Sequence, residues 1–166
     1  MKTKEILVGG LYHDLKVGIR EVLSIQQNDA GSDIVEFRII SAKSAQEWDH
    51  QQGKMVSVIG TTSWCHLTSF ATWAKTCLSK SECEEILLRL EARKITIPPG
   101  ENAFLRSVLD EIDGKVTAGL RVSTEPSEKR AITGLVKKGI LTCDPEGGEV
   151  EFTALGAILM DERMTK

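Results

Sequence analysis

Hydrophobic periodicity changes near Leu78-Ser79-Lys80-Ser81, and no other feature constrains the fold as much. Ahead of that point Val, Ile and Phe recur in short runs at Glu5 to Val8, Val17 to Ile25, Asp33 to Ser41 and Lys54 to Thr61, which is strand composition. Behind it, apolar residues return every third or fourth position, as on amphipathic helices. By length alone, 166 residues fit one average domain or two small ones. The change of period favours two, 1–78 and 79–166. Together they read as an α+β protein that opens with a small curved β-sheet or barrel and a closing helix.

In the first part, Gln26 to Ser32 reads as a turn-rich connection and Ala42 to Gly53 as a longer polar loop. Thr62 or Ser63 is placed to cap the closing helix, with Phe70, Trp73, Ala74 and Cys77 on its buried face. On that reading Trp73 is core and Trp64 staples the helix entry. Trp48 stands in the polar loop, either folded back on the sheet or serving as an anchor for a protein partner, since Trp is enriched at binding hot spots.

No apolar run approaches the ~18 residues of a membrane span, and the stretch after Met1 is too short for a signal-peptide core. The expectation is a cytoplasmic protein with no membrane association. In that compartment Cys65, Cys77, Cys83 and Cys143 are reduced, and they read as buried or half-buried structural thiols. Cys65-His66, Cys77 and Cys83 lack the close Cys-x-x-Cys pair of a zinc site. Adjacent Cys and His do not face each other on a helix, so a thiol nucleophile with its base is not formed either. A phosphate-cradling Gly-x-x-x-x-Gly-Lys loop, a Gly-x-Ser-x-Gly elbow and a His-Glu-x-x-His pair are missing. The chain reads as a non-enzyme that needs no cofactor and no metal.

The second part begins with a helix over Ser81 to Lys94, capped by Ser81, with Cys83, Ile86, Leu87 and Leu90 inward. Pro98-Pro99-Gly100 interrupts, and a helix from Glu101 to Asp113 follows, ended by Gly114. A short helix is expected over Val116 to Val122, with Val116, Leu120 and Val122 toward the core. Ser127 then caps a helix over Glu128 to Lys138 whose inner face is Ile132, Leu135 and Val136. After Gly139, the strands Ile140 to Cys143 and Glu149 to Phe152 flank Asp144-Pro145-Glu146-Gly147-Gly148, which is strong turn chemistry. Thr153 caps a last helix with Leu155, Ile158 and Leu159 on one face.

Leu135-Val136-Lys137-Lys138-Gly139-Ile140-Leu141 resembles the end of a recognition helix entering a wing, and Phe152-Thr153-Ala154-Leu155-Gly156 resembles the step from wing to final helix. Across roughly residues 101–163 the chain resembles the winged helix-turn-helix domain of MarR-like bacterial regulators. The resemblance implies a homodimer on double-stranded DNA, with the third helix in the major groove and the wing on the neighbouring backbone. Lys129, Arg130, Thr133 and Lys137 fall opposite the apolar stripe and become the candidate groove-facing residues. Arg130 is suited to guanine, and Arg121 and Lys138 to phosphates. The implied function is a sequence-specific transcriptional regulator of a bacterium, phage or mobile element.

Charge bears on that reading from two sides. The chain carries −3 overall, with eight basic and eight acidic residues in 1–78 and thirteen basic against sixteen acidic in 79–166. Segment 121–138 is locally basic, with Arg121, Lys129, Arg130, Lys137 and Lys138 against Glu125 and Glu128. The wing is acidic, with Asp144, Glu146, Glu149 and Glu151, and carboxylates repel phosphate. A non-enzymatic adaptor or inhibitor that binds a protein through the wing or Trp48 is the alternative.

Overall fold

The computed structural model describes residues 1–112, 115–144 and 148–163. Gly114, expected to end a helix, and Pro145, Glu146 and Gly147 of the expected wing turn lie outside the described residues, as does Asp113. The chain divides into two compact units, Met1–Glu85 and Ile86–Lys166. The division falls inside a helix, whereas the change of hydrophobic period puts it at 78/79.

The first unit runs through a 3-10 turn at Thr3–Glu5, strands β1 (Leu11–His13), β2 (Ile19–Gln27), β3 (Asp33–Ser41), β4 (Gln46–Asp49), β5 (Lys54–Ser57) and β6 (Thr62–His66), helix α1 (Leu67–Trp73) and strand β7 (Thr76–Leu78). Five strands form an antiparallel sheet in the order β6-β3-β2-β1-β7, and β4 pairs with β5. Register shifts at Ile19/Arg20 and Val22/Ser24 add the local twist that curves such a sheet. Tyr12, Val22, Val35 and Phe37 meet Phe70 and Ala71 of α1 and Ala74 just beyond it in the core. The Tyr12 ring stands edge-on to Phe70 at 5.6 Å. Its hydroxyl accepts the Leu7 N–H at 2.7 Å and donates to the Glu5 carbonyl at 3.0 Å, so the buried phenol is satisfied. The Arg20 guanidinium lies over the rings of Phe37 and Trp73, 4.4 and 4.1 Å from their centres.

Several expectations are corrected. Glu5 to Val8 is no strand: Ile6 is buried, Leu7 and Val8 are exposed, and the chain bends at Gly9 with φ of +79°. The closing helix starts at Leu67, because Thr62–His66 pairs with β3 and thereby satisfies its backbone groups. Trp64 therefore staples nothing and is exposed. Cys77 lies opposite Tyr12 in β7 and is exposed, as is Cys143, so neither is a buried thiol. A third of the expected loop Ala42 to Gly53 is β4.

The second element series comprises α2 (Lys80–Lys94), α3 (Pro99–Glu111), β8 (Arg121–Ser123), a 3-10 turn at Pro126–Glu128, α4 (Lys129–Lys137), β9 (Leu141–Cys143), β10 (Glu149–Phe152) and α5 (Ala154–Arg163). Ser79, rather than Ser81, caps α2: its hydroxyl accepts the Glu82 N–H, and Glu82 accepts the Ser79 N–H in return. The strands form an antiparallel sheet in the order β8-β10-β9. Phe104, Leu105, Val108, Leu135, Ile140, Leu141, Phe152 and Leu159 build the core between this sheet and the helices. Val116 to Val122 is not helical. Gly119 has φ of +85°, and β-branched Val122 pairs with Val150 of β10. Val116, Leu120 and Val122 nevertheless face the core.

The Ile140 carbonyl joins three elements. It accepts the Thr153 N–H at 3.1 Å, and the Thr153 hydroxyl reaches the Gly139 carbonyl at 2.6 Å. That hydroxyl also accepts the Gly156 N–H at 3.0 Å, which caps α5. A Cβ at Gly156 would collide with the Ile140 carbonyl oxygen, which is backbone and cannot swing aside. Gly156→Ala should therefore cost about 1–3 kcal/mol, read as a drop in the thermal midpoint of about 4–8 °C per kcal/mol. An unchanged midpoint would contradict this packing.

Charged pairs tie α2 to α5. Glu162 accepts from Arg93 at 3.1 Å and Arg89 at 3.4 Å, Lys115 reaches Asp161 at 2.8 Å, and Arg163 donates to the Ala92 carbonyl at 2.7 Å. Hydrogen bonds from Arg93 hold the Glu162 carboxyl below its ordinary range, and Lys115 does the same for Asp161. A depressed carboxylate pKa stabilises the fold above the unfolded value and loses that contribution as the pH falls through the folded one. The difference in thermal midpoint between the natural chain and Glu162→Gln should thus be largest at neutral pH and shrink below about pH 4. A gap that stays constant on acidification would show that the pair contributes nothing.

Candidate nucleic-acid interface

Helix α4 is the element on which the candidate residues gather. Pro126 opens the preceding 3-10 turn, and the Glu125 N–H donates to Glu128 Oε2 at 2.8 Å. Ser127 is not the cap; its hydroxyl contacts the Glu125 carboxylate at 3.4 Å. At the other end Gly139 has φ of +70°, and the N–H groups of Gly139 and Ile140 return to the carbonyls of Val136 and Leu135. The helix is short and strongly two-sided. Ile132 and Leu135 are buried, whereas Lys129, Arg130, Thr133 and Lys137 are exposed on one stripe. Among the described residues, Lys129, Arg130 and Lys137 form no ion pair. The Thr133 hydroxyl donates to the Lys129 carbonyl at 2.7 Å.

Two further basic residues are placed differently. The Lys138 ammonium is paired with the Glu101 carboxylate, and Glu101 is only 8% exposed. Arg121 stands directly opposite Glu151 across β8 and β10 and donates to it at 3.0 Å. The five cations of 121–138 thus resolve into two held by carboxylates and three that are not. Glu101 was not distinguishable in the sequence as anything more than a helix-opening residue. The signal that points to it is Gly134, a poor helix former in mid-helix: a Cβ there would run into the Glu101 side chain, so α3 and α4 approach closely at that point.

Between the start of α3 and α4 an open groove of about 1170 Å³ is lined by Ala103 and Phe104 on one side and Lys129, Arg130, Thr133 and Lys137 on the other. On the sheet, Glu149 is exposed, and Glu146 lies outside the described residues. Trp48 belongs to the first unit, on β4 opposite Met55. Among the described residues no group of three or more His, Cys, Asp or Glu is placed to hold a metal ion, and no helix is long and apolar enough to cross a membrane.

No family model, no curated protein and no solved structure matches the chain. Chemically, the α4 stripe offers one planar bidentate donor, two point charges and a hydroxyl over a short helical surface, set in place by the pair beneath it. A double-mutant cycle on Glu101→Ala and Lys138→Ala should give a coupling of about 1–3 kcal/mol in chemical unfolding. Additive effects would mean that this pair does not brace α4 against α3.

Proposed function

We propose that the second unit is a winged-helix module that binds double-stranded DNA with α4 in the major groove, and that the chain is a sequence-specific transcriptional regulator of a bacterium, phage or mobile element. The observation that carries this reading is the stripe Lys129, Arg130, Thr133 and Lys137, exposed on a helix and free of carboxylate partners among the described residues. The element order supports it: β8, α4, β9, β10 and α5 follow as first strand, recognition helix, wing and final helix, with β10 between β8 and β9. One departure from the MarR-like layout is that a 3-10 turn, Pro126–Glu128, stands where a helix precedes the recognition helix. Bracing of α4 then falls to α3 through Glu101 and Lys138.

Roles follow from side-chain chemistry. Arg130 is the candidate for guanine through its bidentate guanidinium, Lys129 and Lys137 contact phosphate, and Thr133 lies on the same stripe. Arg121 and Lys138, neutralised by Glu151 and Glu101, act as positioning residues that keep the wing and α4 in register. Pairing of Glu151 with Arg121 also removes one of the wing carboxylates that would repel phosphate. One observation favours the adaptor reading instead. Glu149 is exposed on the wing with no basic partner among the described residues, and a basic protein surface would neutralise it.

Selection from random DNA with the whole chain should enrich a defined motif, and the double substitution of Lys129 and Arg130 by Ala should weaken binding to it by at least about tenfold. The slope of log affinity against log salt should fall by about 0.9 for each phosphate that the variant no longer neutralises. Unchanged binding by the variant removes the reading, and recovery of a stoichiometric protein with no enriched DNA replaces it by the adaptor.

A further inference from the structure

Four of the seven large apolar side chains that stand exposed among the described residues, Trp48, Met55, Ile59 and Trp64, belong to one ribbon of the first unit. β3 and β6 pair from Ile34 opposite His66 to Arg38 opposite Thr62. Backbone bonds between Ile39 and residues 60–61, and from the Val58 N–H to the Ala45 carbonyl, continue this hairpin into β4 and β5. There Trp48 faces Met55, 53% and 51% exposed. β6 forms one edge of the five-stranded sheet, and its Trp64, 69% exposed, is the most open of the seven.

That edge lacks the features with which strands at a sheet border usually discourage pairing. Thr62-Ser63-Trp64-Cys65-His66 contains no Lys, Arg, Asp, Glu or Pro. The amide of Ile39 donates to the Thr61 carbonyl, so by antiparallel alternation the odd residues of β6 bond to β3, and Thr62 and Trp64 direct their backbone groups outward. The row of free backbone donors and acceptors thus lies in the plane of the sheet at its border, and the exposed indole of Trp64 stands on one face of that border strand.

We infer that β6 is the edge through which a second copy of this chain docks, antiparallel about a two-fold axis at Trp64, so that two five-stranded sheets join into one. The strand is suited to its own copy. Pairing about Trp64 sets the two indoles together, each Thr62 beside a His66 and each Ser63 beside a Cys65, with no formal charge opposed by a like one. Residues that face outward in one strand meet residues that face outward in the other, so each such pair can exchange both backbone bonds. A charged or proline-bearing strand could not repeat this against itself. Five paired residues alone fall short of the area of a stable interface. Antiparallel pairing also carries each β4–β5 arm past the end of the other copy's strand, where Trp48, Met55 and Ile59 can add apolar area. The inference concerns the first unit and is independent of DNA binding by the second.

Sedimentation equilibrium of the whole chain across the micromolar range tests it. A monomer–dimer equilibrium is expected. Trp64→Lys should raise the dissociation constant about tenfold or more, with unchanged far-UV circular dichroism because the indole is exposed. Leu15→Lys, an equally exposed apolar position outside the ribbon, should leave the equilibrium as it was. A natural chain that stays monomeric throughout overturns the inference and leaves the edge to an extended segment of another protein. Self-association that survives Trp64→Lys, or that Leu15→Lys abolishes equally, overturns it as well.

Discussion

A single backbone carbonyl, that of Ile140, governs the arrangement of the second unit. It sits where α4 has just ended at left-handed Gly139, and it accepts from the first residue after β10, Thr153. Gly156 then passes against it closely enough that no side chain fits. Helix end, hairpin base and final helix are therefore fixed to one another by backbone atoms, which have no rotamers. The direction of α4 follows from that junction together with α3, because Ile132 and Leu135 bury themselves in the core that α3 and the sheet share. The exposed stripe is the face left over.

Ion pairing then decides what that stripe can do. Counting charges along 121–138 treats five cations alike, yet Glu101 comes from α3 and Glu151 from the neighbouring strand, far from their partners in sequence. The pairs give Lys138 and Arg121 carboxylate partners and leave Lys129, Arg130 and Lys137 as the cations of this segment without one among the described residues. The net charge of −3 carries little information about this face, since Coulomb attraction to a polyanion depends on the charges within about a Debye length, ~8–10 Å in ordinary salt. On the proposed reading, an acidic chain reads DNA with a small basic surface whose neighbours are already neutralised.

In the first unit, strand residues were legible and their partners were not. Asp33–Ser41 was readable to the residue because it is rich in β-branched and aromatic side chains, with Val35, Phe37 and Ile39 alternating with Glu36 and Arg38. Thr62 to His66 read as a helix start, because Thr and Ser are good caps and Phe70, Trp73 and Ala74 do have helical spacing. What overrode that local preference was the unpaired edge of β3, whose backbone groups need a partner. The same long-range pairing turned Trp64 from a supposed staple into the most exposed large apolar residue of the unit. Cys77, placed one turn too far along a helix that ends at Trp73, proved to be a strand residue for a related reason: β1 needed a second neighbour.

Local chemistry determined what a single stretch of sequence can determine. Gly139, Thr153 and the apolar stripe of α4 each act within a few residues, so the helix, its stop, the hairpin strands and the capped last helix could be read directly, and so could the outward position of Lys129, Arg130, Thr133 and Lys137. Tertiary structure alone decided that Arg121–Ser123 pairs with β10 where a short helix was expected, that Glu101 holds Lys138, and that β6 is a bare sheet edge. The reason is range: caps and periodicity are settled by neighbours along the chain, whereas a strand's partner, a buried carboxylate's counterion and an edge's exposure depend on which distant segments arrive beside them.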